Sequence, residues 1–267
     1  MASTNNSGGA PSTTFSYDSE FLQTSAPFPT KSSVDFVAGG IPQYDGHYAV
    51  ILDGIFTAEE CTQLVAIASA ANKGVWDRAL VNVGGGRQAH LTDIRNCGRI
   101  LYDDIELTNR IWNRIKPHVP ELLRIESPPK QYKTGLWSKP SVKIAKGLNE
   151  RLRFLKYGPG EYFERHCDGR FAREALDGSG DEFSVFTIHL YLNEGGKEEE
   201  ELIGGSTSFF SPWGYQGQEK EIRVKPKVGR VLIFQHAGLL HSGEEVLKGL
   251  KLTMRTDIMY QILKEEK

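Results

Sequence analysis

At 267 residues, with 39% apolar and 25% charged side chains, the chain is long enough to bury a sizeable core without a disulfide or structural-metal framework. A formal charge of −2 argues against a nucleic-acid scaffold and against a binder of anionic membranes. The three cysteines, Cys61, Cys97 and Cys167, form no CxxC pair, and no apolar stretch reaches the length of a membrane-spanning helix.

The N-terminus lacks the basic flank and apolar core of a secretory signal, so the cytoplasm, with the nucleus as the other option, is the expected compartment. Residues 1–14 are mostly Ser, Thr, Asn, Gly, Ala and Pro, which cannot offset their ordering entropy by burial, and are expected to be disordered. Residues 15–45 space Phe15, Tyr17, Phe21, Phe28 and Phe36 between polar residues, as in an arm packed on the body or in a linker. A strand is predicted over 48–56. Thr57 to Glu60 then form a capping-box pattern opening a helix to about Asn72.

A second helix is predicted over 104–117, stopped by Pro117 and Pro120, and a Pro- and Lys-rich connection runs over 128–147. Beyond about residue 150 the apolar residues fall into short runs bounded by Gly, Pro and Asn: 151–157, 161–166, 183–193, 206–210, 220–225, 230–236 and 251–262. Glu198–Glu201 reads as a solvated loop between two of them. Helices first and strands later predict an α+β, mainly β fold: one domain over 46–267, with helical support at about 46–147 and a jelly-roll core at about 148–263.

Within the second run, His166 and Asp168 sit two apart, a spacing that puts both on one face of an extended strand. Two imidazoles and one carboxylate leave three open positions on an octahedral metal, which suits non-haem Fe(II). A His-x-Asp triplet alone is equally a surface histidine beside a carboxylate. Two further histidines, His236 and His241, lie at and just beyond the strand of residues 230–236. Lys251, Thr253 and Arg255 then alternate onto one face of the last run, either a solvated stripe or a cation awaiting a carboxylate.

Taken together, RFLKYGPGEYFERHCDG (153–169), FTIHLYLNE (186–194), GGSTSF (204–209), KPKVGRVLIFQHAGLLHSG (225–243) and VLKGLKLTMRTDIMY (246–260) resemble the prolyl-4-hydroxylase-like branch of the Fe(II)- and 2-oxoglutarate-dependent dioxygenases. That resemblance implies a double-stranded β-helix with Fe(II) held by His166, Asp168 and His241. It implies that Lys251 binds the distal carboxylate of 2-oxoglutarate, with Tyr157 and Tyr191 reaching the cosubstrate and Thr187 beside them. O2 is the second cosubstrate, and ascorbate would sustain activity. Halogenating relatives replace the ligand carboxylate with a small residue, whereas Asp168 is present here, so hydroxylation is expected.

For the substrate, Arg255 shares the strand face of Lys251 and could bind a carboxylate. The two cations could also exchange roles, or Arg255 could pair with Asp257. Arg95, Arg99, Arg151 and Arg153 lie in two Arg-rich stretches that either line the open end of the barrel or form structural ion pairs. The segment 81–90 is a lid or a plain hairpin. A small carboxylate-bearing molecule such as an amino acid is the expected substrate, and a prolyl peptide or protein is the alternative; neither nucleic acid nor membrane is expected as partner. Two rival classes are a non-catalytic metal-binding jelly roll and a zinc hydrolase with Glu164 as its acid/base.

Overall fold

The computed structural model describes residues 17–26, 28–84, 87–126, 141–194 and 202–263. The expected tail at 1–14 and the loop Glu198–Glu201 lie outside the described residues. In chain order the main elements begin with β1 (Thr30–Ser33), β2 (Ala49–Asp53), α1 (Ala58–Ala71), β3 (Arg95–Asn96), β4 (Gly98–Asp103), α2 (Ile105–Ile115) and β5 (Lys143–Leu148). The barrel strands follow: β6 (Arg151–Tyr157), β7 (Tyr162–His166), β8 (Asp181–Tyr191), β9 (Thr207–Phe210), β10 (Glu221–Val224), β11 (Val231–Gln235), β12 (His241–Gly243) and β13 (Lys251–Ile262).

These strands form two antiparallel sheets, the pattern of a jelly roll. The larger runs β1-β2-β11-β8-β13-β6-β4, with β5 paired to the far half of β13; the smaller runs β10-β9-β12-β7-β3. Side-chain alternation decides what each face meets. On β6, β8 and β13 one set of residues, Leu152, Phe154, Ile188, Leu190, Met254 and Ile258, points outward and is buried under the helices. α1 and α2 close that layer with Leu64, Ile67, Leu107, Ile111 and Ile115. Each such burial stabilises the fold by roughly 1.5–3 kcal/mol. The opposite set faces the small sheet, with which Phe36, Tyr44, Tyr191, Phe209, Leu232 and Phe234 form a second core.

Local chemistry explains where the helices begin. The Thr57 hydroxyl accepts from the Glu60 amide, and the Glu60 carboxylate accepts from the Thr57 amide, so the predicted capping box is present. Asp104 caps α2 by accepting from the Leu107 amide at 2.8 Å. Gly229 turns the chain into β11 with φ 73°, and a Cβ there would lie 1.9 Å from the Phe56 carbonyl oxygen. Only glycine fits both constraints.

Two expectations need revision. The N-terminal support is not purely helical, because β1, β2, β4 and β5 join the large sheet and β3 joins the small one. Residues 143–147, the end of the segment read as connection, belong to the strand Lys143–Leu148, which pairs along β13. Of the arm, Phe21 and Phe36 are buried and Tyr17 donates to Asp104, while Phe28 is exposed. The segment 81–90 contains a hairpin, Val81–Gly84 against Arg87–Ala89. No described helix is long and apolar enough to cross a membrane.

Candidate metal centre and active site

His166 ends β7 and His241 opens β12, neighbouring strands of the small sheet, and the two residues are register partners. Between the Phe163–Gly243 and His166–His241 pairs the register shifts, a bulge that re-aims the end of β7. Asp168 lies beyond the strand, so the two-apart rule does not place it. The large sheet does. Thr187 on β8 donates to Asp168 Oδ2 at 2.5 Å, and Arg255 on β13 puts Nη2 3.0 Å from Oδ1.

One ligand atom from each of His166, Asp168 and His241 lies within 4.8 Å of the others. Nδ1 of His166 is 2.7 Å from the Glu164 carbonyl oxygen, and Nδ1 of His241 is 3.0 Å from that of Leu239. Each Nδ1–H therefore donates to backbone, leaving each Nε2 lone pair facing the Asp168 carboxylate. Burial, then the neighbouring His166, pushes the His241 pKa down to about 3, so its imidazole is neutral. Burial opposes the charge of Asp168, but Arg255, His241 and His166 offset it and hold the carboxyl well below its usual range. Two imidazoles preset in tautomer by their backbone contacts and one carboxylate held ionised fit a divalent iron. Phe163 stacks on His166 with centroids 3.7 Å apart, and Phe234 meets His241 edge-on at 4.7 Å, which walls the site with apolar rings.

A cleft of about 410 Å³, open mouth included, runs from these residues between the sheets. Tyr157, Lys251 and Arg95 line one part of it. Lys251 is 1% exposed, stands 5.1 Å from the Tyr157 ring centroid, and among the described residues makes no ion pair. Burial lowers its pKa to about 8. Thr187, His189 and Arg255 line another part. The polar stripe Lys251-Thr253-Arg255 therefore faces inward, opposite Tyr157, Leu155 and Arg153 in the register of β6.

The structure revises three of the residues that the sequence singles out. Tyr191 does not line the cleft: it is fully buried and donates to the Thr207 hydroxyl at 2.7 Å, so Thr207 takes its place at the wall. Arg151 is at the exposed end of β6, paired with Asp103 at 2.6 Å. Arg153 sits behind Arg255 rather than in the cleft, 3.3 Å from Asp257. Glu164, the acid/base of a hydrolase, is exposed, and Asp168 is the one carboxylate among the described residues lining the cleft. His189 escaped the sequence reading, though it alternates with Thr187 and Tyr191 on one strand face; burial and the nearby Lys251 and Arg255 hold its pKa well below the usual range.

Residues 152–256 match the family described as the 2OG-Fe(II) oxygenase superfamily. The chain carries a 2OG-Fe(II) oxygenase domain. That family works with Fe(II) and 2-oxoglutarate, and its dioxygenase chemistry is the activity of this enzyme. No curated protein matches the chain. Among solved structures, a Trichoplax adhaerens prolyl hydroxylase in complex with a hypoxia inducible factor peptide fragment is 15% identical, with TM-score 0.51, over 82% of this chain and 86% of that one. A Pseudomonas putida prolyl-4-hydroxylase is 16% identical, with TM-score 0.48, over 83% and 97%. The viral collagen prolyl hydroxylase of Paramecium Bursaria Chlorella virus-1 is 18% identical, with TM-score 0.47, over 80% and 97%. The Trichoplax likeness shows that the oxygenase shares the prolyl-hydroxylase fold.

Proposed function

We propose that this 2OG-Fe(II) oxygenase hydroxylates an unactivated C–H bond of a small carboxylate-bearing molecule, an amino acid or a metabolite intermediate. In this reading His166, Asp168 and His241 hold Fe(II), Lys251 anchors the distal carboxylate of 2-oxoglutarate beside Tyr157, and Arg255 receives the carboxylate of the substrate. With 2-oxoglutarate and O2, the bound iron supplies an oxidation in which one oxygen atom enters succinate, the other enters the substrate, and CO2 leaves.

The observation that carries the substrate class is Arg255. It faces the metal-ligand atoms from the cleft wall, and its buried Nε has no hydrogen-bond partner. Behind it Arg153 and Asp257 are paired, so Asp257 is shared between two guanidinium groups. Once Asp168 is committed to a metal, this row holds one more cation than anions, which favours an anionic substrate group. The family's chemistry leaves the protein to position the C–H bond and exclude water. Phe163 and Phe234 supply apolar walls for that task.

An anaerobic titration with Fe(II) and 2-oxoglutarate tests the cofactor assignment through the visible charge-transfer band of the chelate. The band is expected in the wild type, absent in His241→Ala and weakened in Lys251→Ala. Succinate release is then measured over a panel of amino acids, small carboxylic acids and prolyl peptides. Stimulation by prolyl peptides alone would overturn the small-acid reading in favour of a prolyl hydroxylase.

A further inference from the structure

Arg95 lies far outside the segment that matches the oxygenase family, on the two-residue strand β3 at the edge of the small sheet. Its register partner is Phe163 on β7, and its guanidinium carbon stands 4.5 Å over the Phe163 ring. The residue is 8% exposed, yet it lines the cleft, and its Nε is buried without a hydrogen-bond partner. Among the described residues no carboxylate pairs with it. Its polar neighbours are Tyr157 and Cys97. Tyr157 is also the neighbour of Lys251, whose Nζ lies over its ring.

Two cations that lack a carboxylate thus flank one tyrosine in the same cleft. Asp168, the one carboxylate lining it, is already engaged by Arg255 and Thr187. A buried cation without an anion is costly, so a pair of them facing one cleft, Arg95 from the small sheet and Lys251 from the large one, marks a place where an anionic group is to be received. A guanidinium also presents two parallel donors to a carboxylate, which an ammonium cannot.

We propose that Arg95 is a second cosubstrate-binding residue, closing with Lys251 on the distal carboxylate of 2-oxoglutarate from the two sides of Tyr157. The proposal rests on the reading of Lys251 given above. It reassigns Arg95 from the substrate to the cosubstrate, and makes the contrast between a dicarboxylic and a monocarboxylic keto acid depend on both cations.

The test is calorimetric binding to enzyme loaded with redox-inert Ni(II). Two probes are used: 2-oxoglutarate, and 2-oxopentanoate, which keeps the chelating head but lacks the distal carboxylate. Arg95→Met is expected to weaken 2-oxoglutarate about 10- to 100-fold, the loss of a charge-assisted hydrogen bond, and to leave 2-oxopentanoate unchanged. Arg95→Lys should recover part of the loss, and circular dichroism of both variants monitors folding. Unchanged 2-oxoglutarate affinity in Arg95→Met, or equal weakening of both probes, would overturn the proposal. If Lys251→Met leaves 2-oxoglutarate binding intact while Arg95→Met weakens it, the two-cation clamp fails through its lysine. If the wild type binds neither keto acid, the cosubstrate reading itself fails.

Discussion

Arg255 Nη2 and Asp168 Oδ1 lie 3.0 Å apart, so the carboxylate facing both imidazoles also carries an ion pair to the opposite sheet. Replacing Arg255 with Met removes that cation but leaves Thr187 on the other carboxylate oxygen. Metal affinity is expected to stay within about tenfold, whereas substrate-stimulated succinate release should fall about 10- to 100-fold, the loss of one charge-assisted hydrogen bond. Basal succinate release without substrate should persist. Calorimetric metal titration together with succinate assays, with and without substrate, checks the split.

Thr187→Val keeps shape and removes the hydroxyl that donates to Asp168 Oδ2 at 2.5 Å. A partner that orients a metal ligand is worth about 10- to 100-fold in metal affinity or activity. The variant should lose metal affinity by that factor with little change in melting temperature of the metal-free protein. Competition against a chelating dye reads it.

Lys251, with its pKa lowered to about 8 by burial, predicts a pH dependence of cosubstrate binding. Below about pH 8 the lysine is protonated and the Kd for 2-oxoglutarate is flat. Above it the free protein loses the proton that the complex needs, and Kd should rise up to about tenfold per pH unit. Lys251→Met should abolish the slope. The stability sign is opposite: between about pH 8 and the ordinary lysine value of 10.5 the unfolded chain binds a proton that the folded chain lacks, so the metal-free protein gains stability as pH rises. By the same logic Lys251→Met should stabilise it at pH 7 by about 1–3 kcal/mol, seen in urea titration.

Thr57→Ala removes the hydroxyl half of the capping box at the start of α1 and leaves the Glu60 carboxylate accepting from the amide of residue 57. The expected cost is about 1 kcal/mol, a fall in Tm of about 2–4 °C, with metal binding unaffected. Differential scanning calorimetry decides it. A Tm unchanged from wild type would mean that Glu60, which also accepts from Arg114 at 2.9 Å, holds the helix start without its threonine.

The barrel strands were legible because alternation is a local signal: the run 251–262 is β13 residue for residue. The candidate ligands His166 and His241 were legible through family resemblance and the strand ends that carry them. What local pattern could not convey was depth. Arg151 and Arg153 share a strand face, yet one pairs with Asp103 at the exposed edge and the other stands behind Arg255. Tyr191 faces inward as expected, but its hydroxyl is taken by Thr207. Nor could spacing reveal that Asp168 leaves the strand and is positioned by Thr187 and Arg255, because those contacts exist only once the two sheets face each other.

β13 follows every other described strand in the chain, yet it lies between β6 and β8 in the middle of the large sheet. During synthesis those two strands leave the ribosome with their inner edges unpaired, and they stay so until residues 251–262 emerge. A nascent chain paused before that point presents two sticky edges and has neither Lys251 nor Arg255. Lys251 and Arg255 therefore join the candidate centre only after the two strands that flank them have been made, and a chain halted before β13 is open to misassembly along both edges.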